Sequence, residues 1–82
     1  MQILLESMPG TGAIWYAPPA PSQTTIESLD SRRLEPGIGG PVLQAFEFRA
    51  NAPGAYRLTF QLKREWEGVV RRERHVVVSI ER

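Results

Sequence analysis

A strict alternation of apolar and polar residues constrains the fold of this 82-residue chain more than any other feature. Within Ala55–Lys63, Tyr56, Leu58, Phe60 and Leu62 alternate with Arg57, Thr59, Gln61 and Lys63. Successive side chains of a β-strand point to opposite faces, so this segment has one face for a core and one for solvent. The pattern is typical of a strand in an antiparallel sandwich.

The same period of two recurs along the rest of the chain. Val42–Arg49 places Phe46 and Phe48 on one face, and Val70–Ile80 directs alternate residues inward. Those inward residues are Val76, Val78 and Ile80, while His75, Val77 and Ser79 point outward. Shorter strands are predicted at Gln2–Glu6, at Ala13–Ala17, and around Ile26 and Leu29. No segment has a 3.6-residue repeat, so little or no helix is expected.

Turn-forming clusters separate these segments. They are Pro9–Gly12, Pro36–Pro41 and Ala52–Gly54. Short strands with such spacing predict an all-β fold, an immunoglobulin-like antiparallel β-sandwich of about six to seven strands. Trp15, on an early strand, suits the buried tryptophan of that fold. The length suits a single domain that covers residues 1–82.

The composition excludes several classes of function. A net charge of +1 gives no reason to expect nucleic acid or membrane insertion, and the clustered Arg71, Arg72 and Arg74 are typical of a solvated hairpin. No cysteine is present, so there is no disulfide framework or thiolate metal site, and no cofactor is predicted. The compartment is unknown. A soluble protein is expected, periplasmic or secreted if an export signal precedes Met1 and cytoplasmic otherwise.

Catalytic residues are not indicated either. His75 is the only histidine, and although Ser79 and Glu81 share its strand face, any polar face offers such neighbours. Glu65 and Glu67 flank Trp66 at a hairpin tip, where carboxylates are ordinarily solvated. We therefore expect no enzyme and no metal site.

Three connections are expected to share one end of the sandwich. They are Met8–Gly12, Pro36–Pro41 and Arg64–Gly68. Alternate connections of antiparallel strands emerge at the same end, and functional residues concentrate on loops held by a rigid scaffold. Trp66 lies where a hairpin tip should be polar, which favours contact with a partner.

Taken together, the three loops resemble those of the chagasin family of protein inhibitors of cysteine peptidases. The matching stretches are MPGTGAIW at residues 8–15, GIGG at 37–40 and REWE at 64–67. The resemblance implies a reversible inhibitor of papain-like (clan CA) cysteine peptidases, whose loops occlude the active-site cleft. The partner-binding residues that it implies are Pro9, Gly10, Thr11, Gly12, Gly37, Gly39, Gly40, Arg64 and Trp66.

Four positions depart from the family pattern. Met8 replaces an asparagine, Gly10 a threonine, Ala13 an aromatic residue and Glu65 a proline. Each change is expected to weaken the tip, which leaves open an immunoglobulin-like binding or adhesion module related to the inhibitors but without inhibitory activity. The resemblance also implies a first strand that is missing before Gln2. Either the sequence is truncated at that point, or the sheet has an open edge, which would allow a homodimer.

Overall fold

The structure is a computed structural model that describes residues 1–7, 12–29, 31–33, 41–64 and 66–81. The strands are β1 (Gln2–Ser7), β2 (Ala13–Tyr16), β3 (Thr24–Ser28), β4 (Arg32–Arg33), β5 (Val42–Ala50), β6 (Gly54–Arg64) and β7 (Val70–Ile80). No helix occurs within these described ranges. All six predicted strands are confirmed. Leu29 falls just outside β3, however, and alternation did not indicate the two-residue β4.

The strands form two antiparallel sheets. In the first, β5 is central: β1 lies along one edge, and β3 and β4 follow each other along the opposite edge. In the second, β6 is central between β2 and β7. The fold is therefore the all-β, immunoglobulin-like sandwich that the alternation predicted.

The core lies between the two sheets and is built from alternate residues. The side chains of Phe48, Leu58, Phe60 and Val78 are the largest that are fully buried. The rings of Phe46 and Phe60, one from each sheet, lie 5.0 Å apart at a tilt of 51°. Val77, predicted to point outward, is 65% exposed. The inward and outward faces read from the sequence are confirmed for β5, β6 and β7.

Trp15 is buried, as predicted, and its polar groups are bonded to the first sheet. The indole Nε1 donates to the carbonyl of Glu6 at 2.9 Å. The backbone N–H of Trp15 donates to Oε1 of Gln44 at 2.8 Å, and Nε2 of Gln44 donates to the carbonyl of Trp15 at 3.2 Å. The buried amide of Gln44 is thus satisfied by backbone groups of the opposite sheet, as buried polar groups generally are.

Candidate functional site

Two of the three predicted loops are brought together by the pairing of β2 with β6. Ala13 at the start of β2 lies opposite Arg64 at the end of β6. Gly12 immediately precedes Ala13, and Trp66 lies two residues beyond Arg64. The approach to β2 and the turn between β6 and β7 therefore share one end of the sandwich.

Gly12 and Trp66 are in direct contact across this end. Gly12 has φ = +83°, a backbone conformation that residues other than glycine rarely adopt. A Cβ atom at Gly12 would lie 2.5 Å from Cη2 and 3.2 Å from Cζ2 of Trp66. The six-membered ring of the indole therefore lies against the Gly12 backbone. Glycine is required here both by the backbone angle and by the ring.

Although it is packed on one side, Trp66 is 72% exposed. An exposed indole is unfavourable in water, and tryptophan is enriched among the residues that dominate binding energy at interfaces. The contact with Gly12 restricts the ring without covering it. The site therefore presents a large apolar surface whose position is partly fixed before any partner arrives.

The turn that carries Trp66 is closed by hydrogen bonds on both its backbone and its side chains. The N–H of Glu67 donates to the carbonyl of Arg64 at 3.1 Å. The carboxylate of Glu67 accepts from Nη1 of Arg64 at 3.1 Å and from Nη2 of Arg71 at 3.2 Å. One carboxylate thus links the end of β6 to the start of β7. We refer to Arg64, Glu67 and Arg71 as the tip clamp.

A β-bulge accompanies the place of Arg71 in this clamp. Leu62 pairs with Arg72, whereas Lys63 pairs with Val70, so Arg71 is an extra residue on β7. A bulge changes the direction of a side chain and increases the local twist, and bulges are common beside functional sites. In this hairpin the extra residue is the one whose guanidinium reaches Glu67.

The clamp lowers the pKa of Glu67 below its ordinary value of 4.5. The hydrogen bond from Arg64 is the largest cause, partial desolvation acts in the opposite direction, and the hydrogen bond and charge of Arg71 add to the lowering. The carboxylate is therefore ionised at neutral pH and accepts from both guanidinium groups.

Of the nine predicted partner-binding residues, the structure places Gly12, Arg64 and Trp66 at one end. Pro9, Gly10, Thr11, Gly37, Gly39 and Gly40 lie outside the described residues. The role of all nine in binding stays a prediction. The sequence did not indicate Glu67 and Arg71 as partner-binding residues. The Glu67 carboxylate, expected to be solvated, is partly exposed and also pairs with two arginines. The charges at residues 64, 67 and 71 were the available signal.

Elsewhere, the imidazole of His75 contacts a residue of the neighbouring strand. Nδ1 of His75 lies 2.9 Å from Oγ1 of Thr59, the residue opposite it on β6. Within the described ranges no three acidic, histidine or cysteine side chains are grouped so as to hold a metal ion. Nor do those ranges contain a helix long and apolar enough to cross a membrane.

Comparison with known proteins gives one match. A family model described as chagasin family peptidase inhibitor I42 matches residues 1–80. The matched range includes every strand from β1 to β7 and both ends of the Gly12–Trp66 contact. No curated protein and no solved structure matches the chain.

Proposed function

This chain belongs to the chagasin family of peptidase inhibitors, and from that premise we propose that it inhibits papain-like cysteine peptidases by inserting the Gly12–Trp66 end of the sandwich into their active-site cleft. The observation that supports this end is the exposed Trp66, which packs on Gly12 and projects from a turn held by the tip clamp. A peptidase partner follows from the family, and the papain-like type is our proposal.

The mechanism is occlusion, without chemistry on the inhibitor. A loop held in a fixed conformation loses little conformational entropy when it docks, so more of the contact energy appears as affinity. The hydrogen bonds of Glu67 to Arg64 and Arg71 restrict the turn in this way before binding. An interface of standard size, on the order of 1,600 Å² in total, would be sufficient for such an inhibitor.

Each residue has a distinct proposed role. Trp66 is the aromatic anchor on the enzyme surface, and Gly12 brings backbone close enough to support it. Arg64 holds Glu67, so its contribution to binding is partly indirect. Pro9, Gly10 and Thr11 would enter the cleft. Gly37, Gly39 and Gly40 would let a second stretch of backbone approach the enzyme closely.

The proposal is tested by residual activity of papain on a small fluorogenic substrate, titrated with this protein. Trp66→Ala should weaken inhibition by at least ~2 kcal/mol, about 30-fold, the scale of a binding hot spot. Val77→Ala is the matched control, because Val77 is 65% exposed, close to the exposure of Trp66, but lies on the outer face of β7. Absence of inhibition at micromolar protein would contradict the proposal.

Weak inhibition is expected from the unmodified chain, because Met8, Gly10 and Glu65 depart from the family pattern. The combined change Met8→Asn, Gly10→Thr and Glu65→Pro should strengthen inhibition of papain in the same assay. Proline would fix one φ angle beside Trp66 and so reduce the entropy lost on docking. If this variant inhibits no better than the parent, the altered loops do not limit the affinity.

A further inference from the structure

One row of outward-facing residues crosses the second sheet beside the tip clamp. In β2 the residues on either side of Ile14 are buried, so Ile14 itself faces outward. It lies opposite Lys63 of β6, and Lys63 in turn lies opposite Val70 of β7. Residues opposite each other in a sheet share a face, so these three side chains lie on the outer face of the sheet. We refer to Ile14, Lys63 and Val70 as the outer row.

The outer row presents apolar surface although a lysine lies at its centre. Nζ of Lys63 lies 5.0 Å from the centroid of the Tyr16 ring. Tyr16 pairs with Gln61, which is farther from the Gly12–Trp66 end than Lys63 is. The ammonium group is therefore drawn away from that end by its contact with the ring. What Lys63 leaves between its two apolar neighbours is mainly its aliphatic stem.

The β-bulge in β7 keeps a second charge out of the outer row. In a regular ladder Arg71 would lie opposite Lys63, and like charges directly opposite each other are destabilising. Because of the bulge, Val70 lies there instead. The guanidinium of Arg71 pairs with Glu67 in the tip clamp. An apolar side chain therefore replaces a cation on this face of the sheet.

The apolar surface of the outer row is exposed and adjoins the exposed end of the hairpin. Val70 is 36% exposed, and Val69, which precedes it, is 66% exposed. Val69 and Trp66 both lie in the connection between β6 and β7. Single exposed apolar residues are ordinary, but several close together beside an exposed tryptophan are typical of a contact surface.

The position of the outer row determines when a partner would reach it. Ile14 lies two residues along the chain from Gly12, which is at most about 7 Å in an extended strand. The inner face of this sheet packs on the first sheet, so its outer face is the one turned toward solvent. A cleft that admits the Gly12–Trp66 end to a depth of about 7 Å therefore brings one wall against the outer row.

We propose that the outer row, together with Val69, is a second contact surface for the peptidase and packs against apolar side chains on one wall of the active-site cleft. This inference rests on the proposed function, because it requires the Gly12–Trp66 end to enter a cleft. The surface selects among peptidases. A wall of aliphatic or aromatic side chains gains buried area, whereas a charged wall loses hydration without gaining a partner.

A fluorescent dye tests the contact directly, because the chain has no cysteine of its own. Val70→Cys and, separately, Val77→Cys are labelled with an environment-sensitive dye and mixed with papain whose catalytic thiol has been blocked. Val77 is the matched position, because it lies on the outer face of the same strand but near its other end. Emission from position 70 should shift to shorter wavelength when the complex forms. Emission from position 77 should not change.

The contribution of the surface to affinity is measured with Val69→Ser and Val70→Ser combined. One buried methyl group corresponds to about fourfold in affinity, so the double change should weaken inhibition of papain roughly tenfold. Val69→Ser alone, a change outside the strands, should weaken it about fourfold. Val77→Ser should leave inhibition unchanged, and thermal unfolding of each variant measures any loss of the fold.

The outcomes separate this inference from the proposed function. If the parent chain neither binds nor inhibits papain, both are overturned. A dye shift that appears without papain as the protein concentration rises would overturn the inference, because a second copy of the chain would then cover the outer row; the homodimer predicted at an open sheet edge stays a prediction. Inhibition that Trp66→Ala weakens and the two serine changes leave intact would overturn the inference alone. An unshifted dye at position 70 in a complex that forms would do the same.

Discussion

The two tryptophans of this chain occupy opposite environments in the fold. Trp15 is 7% exposed, and its indole N–H is bonded to the carbonyl of Glu6. Trp66 is 72% exposed, and its ring lies on the backbone of Gly12. A buried tryptophan with a satisfied N–H contributes to stability. An exposed one that is held in place is suited to recognition.

The two indole side chains differ in what holds them in place. Trp15 lies at an inward position of β2 in the second sheet, and Gln44 and Glu6 of the first sheet hold it through hydrogen bonds. Trp66 lies in a turn, where alternation no longer decides which way a side chain points. Its support consists of the tip clamp and one glycine. The buried Trp15 and the proposed binding residue Trp66 therefore lie in separate parts of the molecule, and substitutions at the two positions should affect stability and the proposed binding separately.

The largest expected effect is on stability, at Trp15. Trp15→Ala should lower the free energy of unfolding by about 3–5 kcal/mol, the range for removing a large buried aromatic side chain. Trp66→Ala should change it by less than about 0.5 kcal/mol, as surface substitutions generally do. Urea denaturation followed by circular dichroism measures both. A comparable loss in the two variants would show that the distinction between them is wrong.

Gly12 tests whether the backbone supports Trp66. Gly12→Ala should cost roughly 1–2 kcal/mol of stability from the left-handed backbone alone, and the new methyl group should displace the indole ring. Gly68→Ala is the matched control, because a Cβ atom there would meet nothing within 4 Å.

A double-mutant cycle of Gly12→Ala with Trp66→Ala separates the two costs. The combined variant should lose less stability than the sum of the single variants, because without the ring the methyl group has no clash. Strictly additive losses in urea denaturation would mean that the two residues do not contact each other in solution.

Ser7 tests whether the buried polar groups near the core are all hydrogen-bonded. Ser7→Ala should raise the free energy of unfolding by about 1 kcal/mol, because it removes a buried hydroxyl that has no hydrogen-bond partner among the described residues. Thermal unfolding measures this, and Ser79→Ala, on the exposed face of β7, is the control. A destabilised Ser7→Ala variant would show that the hydroxyl has a partner in solution.

The smallest expected effect is a change in the surroundings of Trp66 at acid pH. Because Glu67 has a lowered pKa in the folded state, its ion pairs contribute fully above its ordinary value of 4.5 and are lost as pH falls through the lower folded-state value. Below about pH 4.5 the fluorescence of Trp66 should therefore change, measured as the difference from the Trp66→Phe variant. Glu67→Gln should remove this transition. An identical acid titration in that variant would mean that the clamp does not hold the turn.

The sequence predicted the core well because burial on a strand depends only on alternate positions, as at Phe46, Phe60 and Val78. It predicted that Gly12, Arg64 and Trp66 lie at one end, because strand order determines where the connections emerge. It could not give the partner of Gly12, since that contact joins residues on connections far apart in the chain. The pairing of Glu67 with Arg71 depends on the β-bulge in β7, and no local sequence pattern predicts that bulge. Ala13 was interpreted as part of the tip, yet it is buried.

Gln44 has a mechanical consequence for the tip. It lies two residues after the start of β5, and its amide is bonded to Trp15, two residues after the start of β2. The starting points of these strands, on opposite sheets, are thus tied by two hydrogen bonds. If one sheet slid over the other, both bonds would break in the dry interior. The amide of Gln44 therefore prevents the two sheets from sliding, and it sets the distance between the first residues of β2 and β5.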